Sequence, residues 1–265
     1  MLRFKSLGSG SAGNATLVEA SSGLSRAGPA TRTTRVLVDC GFGVRVMETR
    51  LAQAGVAIDE IDAIFITHEH SDHVGGAAAF SKRCNTPVWM SQGTWAGARK
   101  PEFGDRLHIA MDNVAIQVGN LQLLPFAVPH DAHEPLQLRC SNGQRQLGIL
   151  TDLGHATESV LRHLRQCQAL LLEFNHDSDL LQQGGYPAFL KKRVSGQLGH
   201  LSNADAAQIA AAVNHAGMGP VVAAHLSRQN NRPGLVRAAL SRALGRLPHE
   251  VDIADQATGC GWTQV

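Results

Sequence analysis

The apolar positions of the chain follow two periods, which predict strands and helices in succession. Short runs rich in Val, Ile and Leu indicate strands, and apolar residues three and four positions apart indicate helices. The predicted strands are Arg3–Leu7, Ala15–Glu19, Arg35–Asp39, Ile61–Ile66, Val88–Met90, Val114–Val118, Leu121–Val128, Leu136–Cys140, Gln146–Thr151, Ala169–Leu172 and Val221–Ala224. The predicted helices are Val44–Ala54, His73–Lys82, Thr157–Gln166, Pro187–Val194, Asn203–Ala216 and Pro233–Leu244.

The order of these elements predicts an α/β fold in which packed sheets are covered on the outside by helices. A chain of 265 residues can bury a full-size core, and neither an internal repeat nor a low-complexity linker divides it. We therefore expect a single domain over residues 1–265. The segment 21–34 is small, polar and without apolar period, so we expect it to form an exposed hairpin insertion.

Composition narrows the class of protein. The chain is 43% hydrophobic and 17% charged, with no apolar run near the ~20 residues that cross a bilayer. Its first residues turn to glycine and serine too soon for a secretory signal, so we expect a soluble, cytoplasmic protein without membrane contact. Five scattered cysteines indicate free thiols. A net charge of +2 is too small to indicate a polyanion partner by itself.

The segment IFITHEHSDHVGG, residues 64–76, carries the clearest chemical signal. A buried strand delivers His68 and His70 to one side, because alternate residues of an extended chain face the same way. Asp72 and His73 follow at the start of a helix. A polar surface loop could also hold three histidines, but such loops rarely follow a fully apolar strand. The pattern therefore predicts a metal site.

This segment resembles the H-x-H-x-D-H signature of the metallo-β-lactamase superfamily. The resemblance implies an αββα four-layer sandwich of two mixed β-sheets with helices on the outer faces. It also implies a two-metal site whose remaining ligands follow later strands, in VPHDAHEP, GILTDLGH and VVAAHLSRQNN. The implied ligands are His68, His70 and His130 for one metal, Asp72, His73 and His225 for the other, and Asp152 as the bridge.

Each later residue also has a simpler explanation. His130 competes with nearby His133, Asp152 could cap the helix that follows it, and His225 alone could be a core histidine. Asp39, which ends LVDCGF, matches an early aspartate that supports the ligand loop through hydrogen bonds. It could instead be a turn residue before a glycine.

The predicted ligands indicate hydrolysis. Two divalent ions ~3.5–4 Å apart lower the pKa of a water between them toward ~7, so a metal-bridging hydroxide would be the nucleophile. No Ser-His-Asp arrangement is evident, and the segment GSGSAG is better explained as a tight turn than as a phosphate loop. Histidine and aspartate ligands suit Zn²⁺, although Mn²⁺ or Fe²⁺ are also compatible. A bridged metal pair is best suited to a phosphodiester.

Three further phrases narrow the resemblance to the YycJ/VicX (WalJ) branch of the superfamily. They are LLEFNHD, GQLGHLSN and HLSRQNN, within a likeness that runs from about Leu7 to Leu235. The branch implies a 5′-to-3′ DNA exonuclease. The alternatives are a small-molecule phosphodiesterase or thioester hydrolase of the same superfamily, or a non-catalytic, metal-containing regulatory partner. The sequence does not determine the oligomeric state.

A DNA substrate requires groups that contact phosphates. The candidates are Lys192, in the cluster Lys191–Arg193, and Arg228, Asn230 and Arg232, which follow the predicted ligand His225. Solvated basic helix faces are the competing explanation. Catalytic candidates are Asp72, His176 and His200, the two histidines as phosphate binders or proton donors. Few aromatic residues are available, so sequence-specific recognition is not expected.

Overall fold

The computed structural model describes residues 1–21 and 32–265 of the chain. The strands in these ranges are β1 (Leu2–Gly8), β2 (Ala15–Ser21), β3 (Thr33–Val38), β4 (Ala63–Phe65), β5 (Val88–Met90), β6 (Leu107–Ile109), β7 (Ile116–Val118), β8 (Leu121–Ala127), β9 (Leu136–Ser141), β10 (Gln146–Leu150), β11 (Ala169–Glu173), β12 (Val221–Ala224), β13 (Asp252–Ile253) and β14 (Thr263–Gln264).

The α-helices of the same ranges alternate with these strands. They are α1 (Val44–Gln53), α2 (Ser71–Val74), α3 (Ala77–Cys84), α4 (Gln92–Gly97), α5 (Glu158–Leu164), α6 (Ser178–Gln183), α7 (Ala188–Val194), α8 (Asn203–Val213) and α9 (Pro233–Leu244). Short 3-10 helices lie at Ile58–Glu60, Gly104–Arg106 and Pro248–Glu250.

The described strands form two mixed sheets of seven strands each. The first has the order β14-β1-β2-β3-β4-β5-β6 and the second the order β13-β12-β11-β10-β9-β8-β7. β3 to β6 run parallel in the first sheet, and β10 to β13 run parallel in the second. Antiparallel strands complete both sheets, which accounts for their mixed character.

Three apolar clusters fill the spaces between the layers. The central cluster joins the two sheets, with Phe4 and Val18 from the first and Leu123 and Leu138 from the second. Helices α1 and α3 cover the outer face of the first sheet, and α5, α8 and α9 cover that of the second. The layers are therefore helix, sheet, sheet and helix, and the predicted four-layer sandwich is confirmed.

Burial explains why the strands form where they do. In β1 the first four side chains alternate between buried and half-buried, as expected for a strand with one face against the core. The strand β11, with the sequence ALLLE, is buried along its whole length, as expected for a central parallel strand covered on both faces.

One predicted helix is wrong in its bounds. The stretch His73–Lys82 forms two helices, α2 and α3, which are separated by Gly75 and Gly76. A Cβ on Gly76 would overlap the carbonyl oxygen of Phe42, so the backbones approach too closely there for any other residue. The short elements β6, β13, β14, α4 and α6 were not predicted, because two to six residues carry too little periodic signal.

The predicted insertion lies between paired strands. β2 and β3 are antiparallel, with Ser21 opposite Thr33, and residues 22–31 of the insertion lie outside the described residues. Among the described helices, none combines the length and apolar character needed to cross a bilayer. All five cysteines are free.

Candidate metal centre

Six strand ends bring chemically active side chains to one edge of the sandwich. In the first sheet β3 and β4 are parallel, and in the second β8 runs in the direction of β10, β11 and β12. Their carboxyl ends therefore share an edge. The residues at or just beyond these ends are Asp39, His68, His130, Asp152, Glu173 and His225.

The first group of ligand-type residues is His68, His70 and His130, whose nitrogens lie within 4.8 Å of one another. His68 Nε2 is 3.0 Å from His70 Nδ1, which is 3.4 Å from His130 Nε2. His130 Nδ1 lies 3.1 Å from the carbonyl oxygen of Gly199, to which it donates. That bond leaves His130 Nε2 free to bind a metal ion.

The second group is Asp72, His73 and His225, whose ligand atoms also lie within 4.8 Å of one another. Asp72 Oδ2 is 3.6 Å from His73 Nε2 and 3.8 Å from His225 Nε2. His73 is fully buried, whereas the Asp72 side chain is 20% exposed. Both groups can hold a metal ion, and together they contain six of the seven predicted ligands.

Asp152 lies between the two groups. Its Oδ2 is 2.5 Å from His73 Nε2 and 3.6 Å from His68 Nε2, and its Oδ1 faces His225 Nδ1. Imidazole nitrogens face both oxygens of this buried carboxylate, and a buried carboxylate is costly unless a cation neutralises it. Histidine nitrogens and carboxylate oxygens gathered in this way fit divalent metal ions.

Asp39 supports both groups at once. Its Oδ1 accepts hydrogen bonds from Thr67 N and Thr67 Oγ1, each at 2.9 Å, and its Oδ2 lies 2.8 Å from His73 Nδ1. Thr67 Oγ1 in turn lies 3.0 Å from His68 Nδ1. Because the Nδ1 atoms are engaged, Nε2 of His68 and of His73 is left for a metal ion.

Three residues of the site have unusual backbone angles. Asp39, Asp152 and His225 have φ values of 62°, 53° and 56°, in the left-handed region that residues other than glycine seldom adopt. Each lies immediately beyond a strand or one residue later. Such conformations cost on the order of 1–3 kcal/mol each and persist where the surrounding structure requires them. The sharp turn aims these side chains across the sheet edge.

The turn GSGSAGN between β1 and β2 supports the second group. Asn14 Nδ2 donates to Asp72 Oδ2 at 3.2 Å and lies 3.0 Å from His73 Nε2. Ser9 Oγ accepts a hydrogen bond from His225 N at 2.9 Å. A Cβ on Gly41 would overlap the Asp72 carbonyl oxygen, so the loop after β3 must pass very close to α2. The sequence predicted the turn but not its contact with the site.

Glu173 is a site residue that the sequence analysis missed. It is fully buried, and its Oε1 lies 2.7 Å from His200 Nδ1 and 3.3 Å from His225 Nδ1. Its Oε2 accepts from Leu153 N and Leu201 N. An ionisable residue that ends the apolar run ALLLE was the available signal, because a charge is rarely buried without a role.

Without a bound cation, the histidines of the site divide into those with a lowered pKa and those with a raised pKa. Burial lowers the pKa of His68 and of His130, which favours the neutral imidazoles that bind metals. Burial also disfavours the charged form of His73, but Asp152 and Asp39 outweigh it and raise its pKa to about 10. In the same way Glu173 and Asp152 raise the pKa of His200 to about 9.

The acidic partners respond in the opposite direction. Burial disfavours the charge on Glu173, yet the His200 imidazolium lowers the pKa of this carboxyl to about 2. Likewise the pKa of Asp152 lies well below its ordinary value, because His225 and His73 outweigh the effect of burial. The carboxylates thus retain their charge, and protons on the imidazoles take the place that a metal cation would fill.

A cavity of about 220 Å³ opens above these residues. Its floor is the metal site, of which His70, Asp72, Asp152 and His225 reach the lining. One side is residues 186–194, which we call the α7 wall, and from it Tyr186, Leu190 and Arg193 line the cavity. Arg193 Nε donates to Asp131 Oδ2 at 2.6 Å, which holds the guanidinium beside the floor.

The other predicted residues divide between the cavity and other places. His200 lines the cavity, whereas His176 is 2% exposed and is absent from the lining. Arg228 and Arg232 line a separate pocket with Asp255 and Gln256. Three further residues lie off the cavity as well: Lys192 is exposed on α7, Asn230 is buried, and His133 pairs with Glu69 at 2.5 Å.

Comparison with known proteins identifies the family. A model described as the beta-lactamase superfamily domain matches residues 34–225. The exodeoxyribonuclease YycJ of Bacillus anthracis is 32% identical over 247 residues, 92% of this chain and 89% of the relative. The exodeoxyribonuclease WalJ of Streptococcus pneumoniae strain D39 is 27% identical over 249 residues, 92% of this chain and 88% of the relative.

The fold is also found among solved structures. The metallo-beta-lactamase fold protein YhfI of Bacillus subtilis superposes with a TM-score of 0.73 at 16% identity, over 100% of both chains. Fold, strand-end site and relatives agree with the resemblance seen in the sequence. The chain belongs to the metallo-β-lactamase superfamily of metal-dependent hydrolases and, within it, to the branch of the YycJ and WalJ proteins.

Proposed function

We propose that this chain is a two-metal phosphodiesterase that degrades DNA from a 5′ end. The observation that carries the proposal is the convergence of two ligand groups on the buried carboxylate of Asp152. Two relatives named exodeoxyribonuclease, each matched over 92% of this chain, support DNA as the substrate. The 5′ polarity follows the resemblance to their branch.

The proposed ligands are the seven predicted from the sequence. His68, His70 and His130 would hold one ion, Asp72, His73 and His225 the other, and Asp152 would bridge them. A bound pair of divalent ions supplies a nucleophile at neutral pH and neutralises charge on the phosphoryl oxygens. Zinc suits these nitrogen and oxygen ligands, and manganese and iron(II) are also compatible.

His200 is the proposed proton donor to the leaving oxygen. Its Nδ1 is held by Glu173 at 2.7 Å, so Nε2 is the nitrogen left for the substrate. The ring lies at the cavity with 23% of its side chain exposed. Glu173, which is not one of the proposed ligands, lies beside the ring and is placed to hold a proton on it.

Arg193 is the proposed contact to the phosphate beside the cut. Its pairing with Asp131 uses Nε and leaves the terminal guanidinium nitrogens for an anion. Arg193 takes this role in place of the predicted Lys192, because only Arg193 lines the cavity. Arg228 and Arg232 line a different pocket, so they are proposed to bind phosphates farther along the strand.

Digestion of end-labelled DNA tests the proposal. Metal-reconstituted protein is incubated with single-stranded and gapped DNA carrying a label at the 5′ or the 3′ end. We expect early release of the 5′ label as mononucleotide, whereas the 3′-labelled strand should shorten progressively and release its label only late. Asp152→Ala serves as the inactive control, and Glu158→Gln, at an exposed residue of α5, as the active one.

Three outcomes would contradict the proposal. Release from neither end by metal-loaded protein excludes a DNA exonuclease, and equal activity of Asp152→Ala excludes the assigned site. Early release of the 3′ label reverses the polarity. Elemental analysis tests the ligands separately, because His68→Ala should bind one ion fewer than the parent chain.

A further inference from the structure

One phenylalanine is exposed in a chain that buries all the others. The sequence contains eight phenylalanines, and seven of them are at most 7% exposed. Phe189 is 74% exposed, more than any other large hydrophobic residue in the described ranges. Apolar rings of this size are normally buried, so its position calls for a partner outside the fold.

Phe189 lies on the α7 wall beside the metal-site cavity. It directly precedes Leu190, which lines the cavity, and it is four residues before Arg193, which also lines it. Residues four positions apart are neighbours on a helix surface. The lining residue Tyr186, three positions before Phe189, is the single tyrosine of the chain. One aromatic ring therefore lines the cavity, and a second lies on the helix that forms its wall.

The other large aromatic rings are engaged elsewhere. Trp89 stacks on His108 with ring centroids 4.5 Å apart, and Trp262 lies under the Arg3 guanidinium at 3.9 Å. Trp95 Nε1 donates to the carbonyl oxygen of Pro101. None of the three lines the cavity. Tyr186 and Phe189 are thus the aromatic residues placed to meet a substrate.

Positive charge accompanies these rings. Lys192 and Arg193 follow Phe189 closely, and the Arg193 side chain is 59% exposed. Lys191 is already engaged, since its Nζ donates to the carbonyl oxygen of Gln182 at 2.5 Å. Aromatic rings flanked by cationic side chains match a polymer that alternates flat bases with phosphates.

The size of the cavity indicates where bases would lie. At about 220 Å³ it is smaller than the ~300–1,000 Å³ of pockets that enclose a drug-sized ligand. It can admit a phosphodiester and part of a sugar, but the bases on either side would lie at the rim. Tyr186 lines the cavity on the α7 wall, and Phe189 lies on the same wall outside the lining.

We propose that Tyr186 and Phe189 form a stacking platform for unpaired bases at the end of single-stranded DNA, with Lys192 and Arg193 on the adjoining phosphates. The inference rests on the proposed function and adds to it the residues that would hold the terminal bases once they are unpaired. Every base has a π face, so the platform accepts any base. Bases in a duplex are already stacked and hydrogen-bonded, so they reach the platform only after unpairing.

Equilibrium binding to two oligonucleotides tests the platform. Zinc-loaded protein is titrated onto dye-labelled single strands with phosphorothioate linkages, one intact and one with abasic sites at its first three positions. Phe189→Ala should weaken binding of the intact strand roughly ten-fold and of the abasic strand less than about two-fold. Phe189→Leu should lose most of the same affinity, because leucine is apolar but lacks a ring.

The matched control is Leu247→Ala, which removes another exposed hydrophobic side chain outside the cavity lining, 58% exposed. It should change neither affinity. Equal binding of both strands by the parent chain would overturn the platform, as would equal weakening of both by Phe189→Ala. So would a Phe189→Ala chain that changes only its assembly mass, since self-association would then explain the exposed ring. DNA binding with these base effects but no digestion would contradict the proposed function alone.

Discussion

The floor of the cavity and its α7 wall differ in how their side chains are held. On the floor, His68 and His73 are fully buried, and the chain of contacts through Asp39 and Thr67 connects them. On the wall, Arg193 and Phe189 are 59% and 74% exposed. The floor is suited to fixed chemistry, and the wall is suited to contacts that form only when a substrate arrives.

The two regions also differ in the free energy that a substitution costs. Removing one partner from a buried, paired charge typically costs 3–5 kcal/mol, because the remaining charge is left without compensation. An exposed ion pair such as Arg193 with Asp131 contributes about 0–1 kcal/mol. Changes to the floor should therefore affect turnover, metal content and stability together, whereas changes to the wall should affect substrate affinity alone.

Removal of the metal should have the largest effect, and that effect should be confined to the floor. A chelator should abolish turnover and lower the Tm by roughly 5–10 °C, and added Zn²⁺ should restore both. Zinc binding at pH 7 should release protons, because without a cation Asp152 and Asp39 raise the pKa of His73 to about 10 against the effect of burial. Calorimetry in buffers of different ionisation enthalpy measures the protons released. Binding without proton release would contradict this account of the floor.

Asp152→Asn should have the second-largest effect. The amide retains the shape of the side chain but loses the charge shared by both ligand groups, so turnover should fall by at least about 10²–10³-fold. Metal content per chain, measured by elemental analysis, should fall with it. A variant with parent-like kcat would remove Asp152 from the centre of the floor.

Glu173→Gln should have an intermediate effect. The amide can still accept hydrogen bonds from Leu153 N and Leu201 N, but it no longer holds the charged form of His200. We expect a 10–100-fold loss of kcat or metal affinity with little change in KM. Titration of metal binding beside steady-state kinetics separates the two. A rise in KM alone would place Glu173 with the wall.

Arg193→Gln should have the smallest effect, limited to affinity. The slope of log KM against log salt concentration should fall by about 0.7 on single-stranded DNA, because one phosphate contact is lost. The control is Arg165→Gln on α5, which removes an exposed arginine paired with Glu158. An unchanged slope, or a loss of kcat, would contradict the division between wall and floor.

The H-x-H-x-D-H segment shows what a local pattern can predict. His68, His70, Asp72 and His73 follow a buried strand within six positions, so backbone geometry alone brings them together. His200 was named only as a candidate proton donor, and Glu173 was not named. Their roles depend on each other, because the 2.7 Å contact joins the end of β11 to the loop before α8.

The arginines show the opposite case. Arg228 and Arg232 are close in sequence to His225, yet they line a pocket other than the metal-site cavity, and their contact with a substrate stays a prediction. Arg193 is 32 residues from His225 along the chain, yet both residues line the cavity. Distance along the chain says little about distance in space once a turn such as that at His225 redirects the backbone.

The sequence by itself determined the layers of the sandwich, the H-x-H-x-D-H segment and the family, because apolar periods and contiguous motifs are local properties. Only the tertiary structure decided that Glu173 joins the floor, that Asp39 connects both ligand groups, and that Phe189 remains exposed on the α7 wall. These features depend on how strand ends and loops from distant segments meet at one edge of the sheets. That meeting is set by packing between the layers, which no single segment encodes.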